Sequence, residues 1–202
     1  MVQAQGISSS LEVLTSRRRS NPAFKEWALV CASMLRGETS LIFRKGGVAE
    51  GRDGFRFQHD RFFLFPTFFH EQVQRLRVET AAVEPEPDLV TFSAYAQVEF
   101  TRWVQDLDLL APFSDLHILK PEVLEQRFLY DEPKGLHLAM VRVFRVTPAW
   151  SLPFEKSFRG CRSWVELPES PTELHFTPVI TDDEQAVRRE RILASIGVVG
   201  DP

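Results

Sequence analysis

Cysteine is scarce in this sequence of 202 residues, which contains only Cys31 and Cys161. Two cysteines cannot form a disulfide framework or, by themselves, a structural zinc site, so nothing in the composition requires an oxidising compartment. No apolar run approaches the roughly 20 residues of a membrane span. The first twenty residues also lack the apolar block of a signal peptide. These absences predict a cytoplasmic protein that does not enter a membrane.

Strong net charge is missing as well, because 24 Lys and Arg stand against 28 Asp and Glu and give a formal net charge of -4. This balance argues against a protein that coats nucleic acid non-specifically, although an acidic chain can still carry a local basic patch. The sequence has no internal repeat and no low-complexity tract. Its apolar fraction of 44% and charged fraction of 26% are those of an ordinary globular protein.

The length favours one domain with extensions rather than two full domains. We expect residues 1–20 to form a disordered tail and residues 21–168 to form a single domain. The stretch "TAAVEPEPD" has no apolar period, so it could divide that domain into lobes 21–80 and 89–168. Residues 169–202 should form an extended segment and a C-terminal helix.

Five stretches have the alternating or continuous apolar pattern of strands: "TSLIFRK", "FFLFP", "LVTFSAYAQVEF", "LHLAMVRVFRV" and "CRSWVEL". Apolar residues at helical spacing predict a helix over 21–36, capped by Asn21 with Pro22 in its first turn. Shorter helices are expected in "TFFHEQVQRLRVE", capped by Thr67, and in "PEVLEQRF". Thr181 should cap a last helix. The pattern predicts an α+β fold: a mostly antiparallel curved sheet or open β-barrel with an N-terminal amphipathic helix and short flanking helices.

The first candidate site follows the strand "TSLIFRK", where Arg44 and Lys45 precede Gly46 and Gly47. Successive glycines let backbone N–H groups point at an anion, and the two cations add charge, so this segment could hold a phosphate. It lacks the spacing of a P-loop. The alternative is a strand end followed by a flexible turn.

A second candidate lies after "FFLFP", where Thr67, His70 and Glu71 follow a buried strand. A histidine and a carboxylate close to Arg44 would suit general acid/base chemistry on a phosphodiester, which makes His70 and Glu71 the candidate catalytic residues. The alternative is a histidine that packs at the phenylalanine-rich core.

Arg142 and Trp164 complete the candidate set. Arg142 interrupts an apolar strand, so its guanidinium must find a carboxylate or a ligand anion. Trp164 and Trp27 have aromatic faces on which an unpaired base could stack, and core packing is the alternative for both. The five histidines show no metal-ligand spacing, so we expect no metal and no cofactor.

Four short motifs, KEW, RKGG, LFPT followed by a histidine, and GCRSW, occur in this order between Phe24 and Leu167. Together they resemble the bacterial family called domain of unknown function 1802 (DUF1802). That resemblance implies no catalytic residue but marks the four motifs as places to look. The stretch "GETSLIFR" after a helix is similar, at the level of fold, to small β-barrels of the PUA and ASCH type. This second likeness implies a ligand that is RNA or a modified base.

These observations favour a module that binds nucleic acid or a nucleotide, with a phosphate-bearing partner. Two alternatives stay open: a metal-dependent phosphodiesterase or nuclease, and a non-enzymatic protein-interaction domain. The oligomeric state does not follow from the sequence. The binding hypothesis requires Arg44, His70 and Arg142 to meet around one anion-sized hollow.

Overall fold

The structure, a computed structural model, describes residues 21–45, 55–77, 88–171 and 173–197. Within these ranges, seven strands form one sheet, flanked by three α-helices and three short 3₁₀ helices. The strands are β1 (Asn21–Trp27), β2 (Leu41–Arg44), β3 (Arg61–Thr67), β4 (Leu89–Val104), β5 (Leu136–Pro153), β6 (Trp164–Leu167) and β7 (His175–Pro178). The α-helices are α1 (Ala28–Leu35), α2 (Pro121–Leu129) and α3 (Asp182–Ile196), and the 3₁₀ helices are His70–Arg75, Leu107–Leu116 and Lys156–Phe158.

The strand order is β2-β5-β4-β3-β1-β6, and β7 also pairs with β5. Strand β2 pairs with residues 137–140 of β5, and β7 pairs with residues 144–147. Only the β1–β3 pair among the described strands is parallel. The predicted α+β class with a mostly antiparallel sheet is therefore confirmed.

The sheet is curved enough to bring its distant strands together. The long pair β4–β5 has register shifts between Phe92 and Ala94 and between Val98 and Phe100, and such bulges bend and twist a strand pair. Three strands separate β1 from β2 in the sheet order. Even so, Arg44 at the end of β2 donates a hydrogen bond of 2.6 Å to the backbone oxygen of Lys25 on β1. The sheet is thus an open barrel, and we call the gap between β1 and β2 the seam.

Strand β3 explains the run of phenylalanines in the sequence. Phe62 and Leu64 pack into one hydrophobic cluster, whereas Phe63 and Phe65 pack into a second. All four side chains are buried. Because successive side chains of a strand point to opposite faces, β3 needs apolar residues at every position when both of its faces are covered.

The predicted helix over 21–36 is wrong in its first half. Residues 21–27 form β1, which lies between β3 and β6 with Ala23 beside Phe63 and Val165. Only Ala28–Leu35 is helical. Asn21 does not cap a helix; its side-chain amide donates to the oxygen of Pro168. Pairing with two strands distant in sequence overrides the local helical spacing.

The helix predicted after Thr67 is shorter than expected. Thr67 is the last residue of β3, and the 3₁₀ helix His70–Arg75 stops before Leu76, which forms an isolated bridge with Leu119. Helix α2 and the Thr181 cap of α3 are confirmed, since the Thr181 hydroxyl accepts from the N–H of Glu184. Residues 46–54, which include Gly46 and Gly47, and most of "TAAVEPEPD" lie outside the described residues. No helix in the described ranges is long and apolar enough to cross a membrane.

Candidate anion-binding site

A concave hollow of about 680 Å³ opens at the seam. It is lined by the ends of β1, β2 and β3, by α2, and by the loop that precedes β6. Because β1 and β3 run parallel, their last residues Trp27 and Thr67 lie side by side. The Thr67 hydroxyl fixes this edge by donating a hydrogen bond of 3.0 Å to the backbone oxygen of Glu26. We call this cavity the basic hollow.

Cations dominate the lining of the basic hollow. Six of them contribute: Lys25, Arg44, Lys45, Arg75, Arg127 and Arg162. Among the described residues, two carboxylates pair with members of this set, Glu26 with Arg44 and Glu71 with Arg75. The hollow therefore carries a surplus of positive charge on a chain whose formal net charge is -4. Clefts lined by charge of one sign concentrate ligands of the opposite sign.

Arg44 forms the inner wall of the hollow. Its guanidinium lies 3.0 Å from the Glu26 carboxylate, and the two side chains are 15% and 3% exposed. The same guanidinium lies 4.8 Å from the centre of the Phe24 ring. A buried charge with a carboxylate, a carbonyl and an aromatic face around it is held in place. Arg44 is therefore a fixed positive group rather than a mobile surface cation.

Arg127 reaches the seam from α2. Its Nη1 donates a hydrogen bond of 2.8 Å to the backbone oxygen of Phe43, and its guanidinium lies 4.8 Å from the centre of a Trp27 ring. Burial lowers the pKa of Arg127 to about 10, and the nearby Arg44 cation acts in the same direction. A bound anion would relieve the repulsion between these two arginines.

Lys25 and Lys45 are also partly desolvated. The Lys25 ammonium donates to the backbone oxygens of Phe158 at 2.6 Å and Gly160 at 3.1 Å. Burial lowers its pKa; Cys161 acts in the opposite direction, and Arg162 acts with burial. The Lys45 ammonium bonds to the backbone oxygen of Pro133, and burial lowers its pKa too. Both lysines are positioned by backbone carbonyls, and the nearby Asp131 and Glu132 carboxylates oppose the lowering of the Lys45 pKa.

The structure brings three of the predicted site residues, Arg44, Lys45 and Thr67, to the basic hollow. Glu71 is exposed and pairs with Arg75, at 3.3 Å between Oε2 and Nη2. His70 begins the 3₁₀ helix beside the hollow, but the placement of its side chain lies outside what the structure describes. Gly46 and Gly47 also lie outside the described residues.

Arg142 and Trp164 are placed elsewhere and do not line the hollow. The guanidinium of Arg142 pairs with the carboxylate of Asp182 on α3. Of the two partners predicted for this arginine, a carboxylate or a ligand anion, the structure therefore shows the carboxylate. The Trp164 ring packs at 4.9 Å from Phe24 and 5.0 Å from Phe62, measured between ring centres. The predicted meeting of Arg142 with Arg44, which the binding hypothesis required, is therefore wrong, and a different set of cations surrounds Arg44.

The part of the chain that the structure describes contains no candidate metal-binding site. There, no group of three or more His, Cys, Asp or Glu side chains could hold a metal ion.

The thiol of Cys31 is buried, and burial raises its pKa well above the ordinary value, with the nearby Glu26 acting in the same direction. Cys31 is therefore an apolar packing residue, as its place on the buried face of α1 suggests.

Four cations of the hollow are not among the site residues predicted from the sequence, namely Lys25, Arg75, Arg127 and Arg162. Arg75 and Arg127 lie on helical segments, where a charged residue looks like any solvated surface position. Lys25 and Arg162 do carry a signal, because they belong to the KEW and GCRSW motifs.

A family model described as Domain of unknown function (DUF1802) matches residues 23–191. The chain belongs to this family. All four motifs that resembled the family contribute to the hollow: Lys25 and Trp27 from KEW, Arg44 and Lys45 from RKGG, Thr67 from LFPT, and residues 160–163 from GCRSW. Motifs far apart in the sequence thus meet at one surface.

Solved structures of an ASCH protein from Zymomonas mobilis are similar to this chain. The wild-type protein has 11% identity and a TM-score of 0.40, and the match covers 88% of this chain and 96% of that chain. A mutant of the same protein has 13% identity and a TM-score of 0.44, and the match covers 75% of this chain and 92% of that chain. No curated protein matches the sequence.

Proposed function

We propose that the protein binds a phosphate-bearing ligand, a nucleic acid or a nucleotide, in the basic hollow. The observation that carries this proposal is the gathering of six cations and the four family motifs around one concave surface of an acidic chain. Such a concentration of like charge costs free energy unless an anion compensates it. The cytoplasmic location and the domain bounds 21–168 stay predictions that accompany the proposal.

The way the cations are held suits an oxyanion ligand such as a phosphate. Arg44 and Arg127 are fixed from behind by carbonyl and aromatic contacts. A planar guanidinium held in this way presents its remaining N–H groups in a fixed fork, which suits the tetrahedral oxygens of a phosphate. Aromatic residues in the same lining offer apolar surface for a base.

The experiment measures how affinity depends on salt. A fluorescent oligonucleotide of about ten nucleotides is titrated with protein between about 50 and 200 mM salt. Arg162 is exposed, and the described residues contain no carboxylate paired with it, so Arg162→Ala should leave folding unchanged. We expect this variant to bind about tenfold more weakly and to reduce the salt slope by about 0.7.

Arg145→Ala is the matched control, because Arg145 is also exposed and its hydrogen bond within the described residues is to the backbone oxygen of Leu35, away from the hollow. This control should bind like the wild type. Equal affinity of the wild type and Arg162→Ala at every salt concentration would contradict the proposal. No specific feature of the described residues favours catalysis, and we propose no second function.

A further inference from the structure

Two aromatic side chains of the basic hollow are left open to solvent. Phe68 is 37% exposed and Tyr130 is 60% exposed, and both line the hollow. The other aromatic residues of the lining are engaged: Phe69 packs edge-on against Trp27 at 5.0 Å, and Arg127 covers a Trp27 ring. Exposed rings beside a surplus of cations combine the two features that single-strand binding surfaces use, namely a stacking platform and an electrostatic attraction for the backbone.

The burial of the cations indicates whether the hollow suits single-stranded or double-stranded nucleic acid. Lys25 is buried and Arg44 is only 15% exposed, so both lie on the floor of the hollow rather than on its rim. A duplex presents its phosphates on a convex cylinder and keeps its bases paired inside. Such a cylinder would meet the rim, whereas an unpaired strand can bend into a concave site and turn a base outward.

We infer that the basic hollow binds an unpaired segment of single-stranded nucleic acid, with phosphate on its cationic floor and a base stacked on Tyr130 or Phe68. This inference rests on the proposed function and narrows its ligand class. Stacking does not depend on the identity of the base, since every base has an aromatic face. The site should therefore distinguish unpaired from paired strands more strongly than one sequence from another.

The test compares four probes on the full chain. These are a single-stranded oligonucleotide, the same sequence as a duplex, a sugar-phosphate strand of equal length without bases, and a nucleoside triphosphate. DNA and RNA versions of the first probe show whether the sugar matters. We expect the single strand to bind at least about tenfold more tightly than the duplex or the strand without bases, because stacking on aromatic side chains contributes to each bound base.

Substitutions at Tyr130 and Phe68 test whether these two side chains stack on a base. Tyr130→Ala and Phe68→Ala, alone and combined, should weaken single-strand binding by about 5- to 100-fold and leave the strand without bases unaffected. Tyr130→Phe keeps the ring and should bind like the wild type. Phe176→Ala is the matched control, because Phe176 is 43% exposed on β7 and does not line the hollow. Thermal unfolding of each variant verifies that the fold is retained.

The outcomes separate this inference from the proposed function. If all phosphate-bearing probes bind equally and the aromatic variants have no effect, the stacking inference is wrong and a plain anion site remains. If the nucleoside triphosphate binds as tightly as the oligonucleotide, the ligand is a mononucleotide and the inference is also overturned. If no probe binds, the proposed function itself fails.

Discussion

The arginines of this molecule occur in two contrasting regions. On the face covered by α3, four arginines each have a carboxylate of their own: Arg142 with Asp182, Arg188 with Glu184, Arg189 with Glu99, and Arg191 with Asp115. Two of these pairs attach α3 to the sheet, one attaches it to the 3₁₀ helix Leu107–Leu116 and one lies within α3. In the basic hollow, the described residues pair only two of the six cations with a carboxylate, Arg44 with Glu26 and Arg75 with Glu71, while Asp131 and Glu132 act on Lys45 without forming an ion pair. The unmatched cations of the hollow instead leave charge for a ligand. Both regions are rich in arginine, so the placement of carboxylates distinguishes a structural interface from a binding surface.

The largest effect on the free energy of unfolding is expected at Glu26. Glu26→Gln removes the buried carboxylate beside Arg44, which should lower the free energy of unfolding by about 4 kcal/mol because an uncompensated buried charge remains. The measurement is equilibrium unfolding in urea. Combining Glu26→Gln with Arg44→Met removes both charges and should recover most of the loss.

Glu71→Gln is the comparison variant for that measurement. Its pair with Arg75 is exposed, so it should change the free energy of unfolding by less than about 1 kcal/mol. Equal losses for Glu26→Gln and Glu71→Gln would show that the floor of the hollow is no more desolvated than its rim.

A second prediction concerns the buried His117, which lies beside the Arg77 cation. Arg77 donates to the backbone oxygens of Leu119, Ser114 and His117. Burial lowers the pKa of His117 from 6.5 to about 4, and the Arg77 cation acts in the same direction while Asp115 opposes it. The unfolded chain therefore binds a proton at His117 more readily than the folded protein does. This contribution to stability is fully present above about pH 6.5 and is lost as the pH falls towards 4.

The loss at His117 should amount to about 3 kcal/mol between those two pH values. Unfolding in urea at a series of pH values measures it. His117→Asn offers a neutral acceptor for the N–H of Leu119, which His117 Nδ1 accepts at 3.2 Å, and should flatten the dependence over this range. A variant that keeps the wild-type slope would show that His117 is not its source.

The last prediction concerns the face covered by α3. Arg188 of α3 donates at 2.7 Å both to the Ser40 hydroxyl and to the backbone oxygen of Gly37. Arg188→Ala should lower the free energy of unfolding by about 2 kcal/mol, because these charge-assisted hydrogen bonds are lost. Oligonucleotide affinity should not change. A loss of affinity similar to that of Arg162→Ala would remove the distinction between the two regions.

Much of the sheet could be predicted from the sequence, because β4 and β5 have alternating or continuous apolar patterns long enough to be unambiguous. Strand β1 could not, since Phe24 and Trp27 fit a helical period equally well and only their pairing with β3 and β6 decides. The candidate site was likewise predictable only where its residues stand out locally in the sequence. Arg44 and Lys45 stand out beside a glycine pair, whereas Arg127 reaches the hollow only because the sheet curls and places α2 across the seam.

The seam is closed by side chains rather than by a ladder of backbone hydrogen bonds. As far as the described residues show, Arg44 and Arg127 make the contacts that join β1 to β2. An anion bound by these two guanidinium groups would therefore act directly on the closure of the barrel. Amide hydrogen exchange along β1 and β2, compared with and without ligand, would show whether occupancy stabilises that closure.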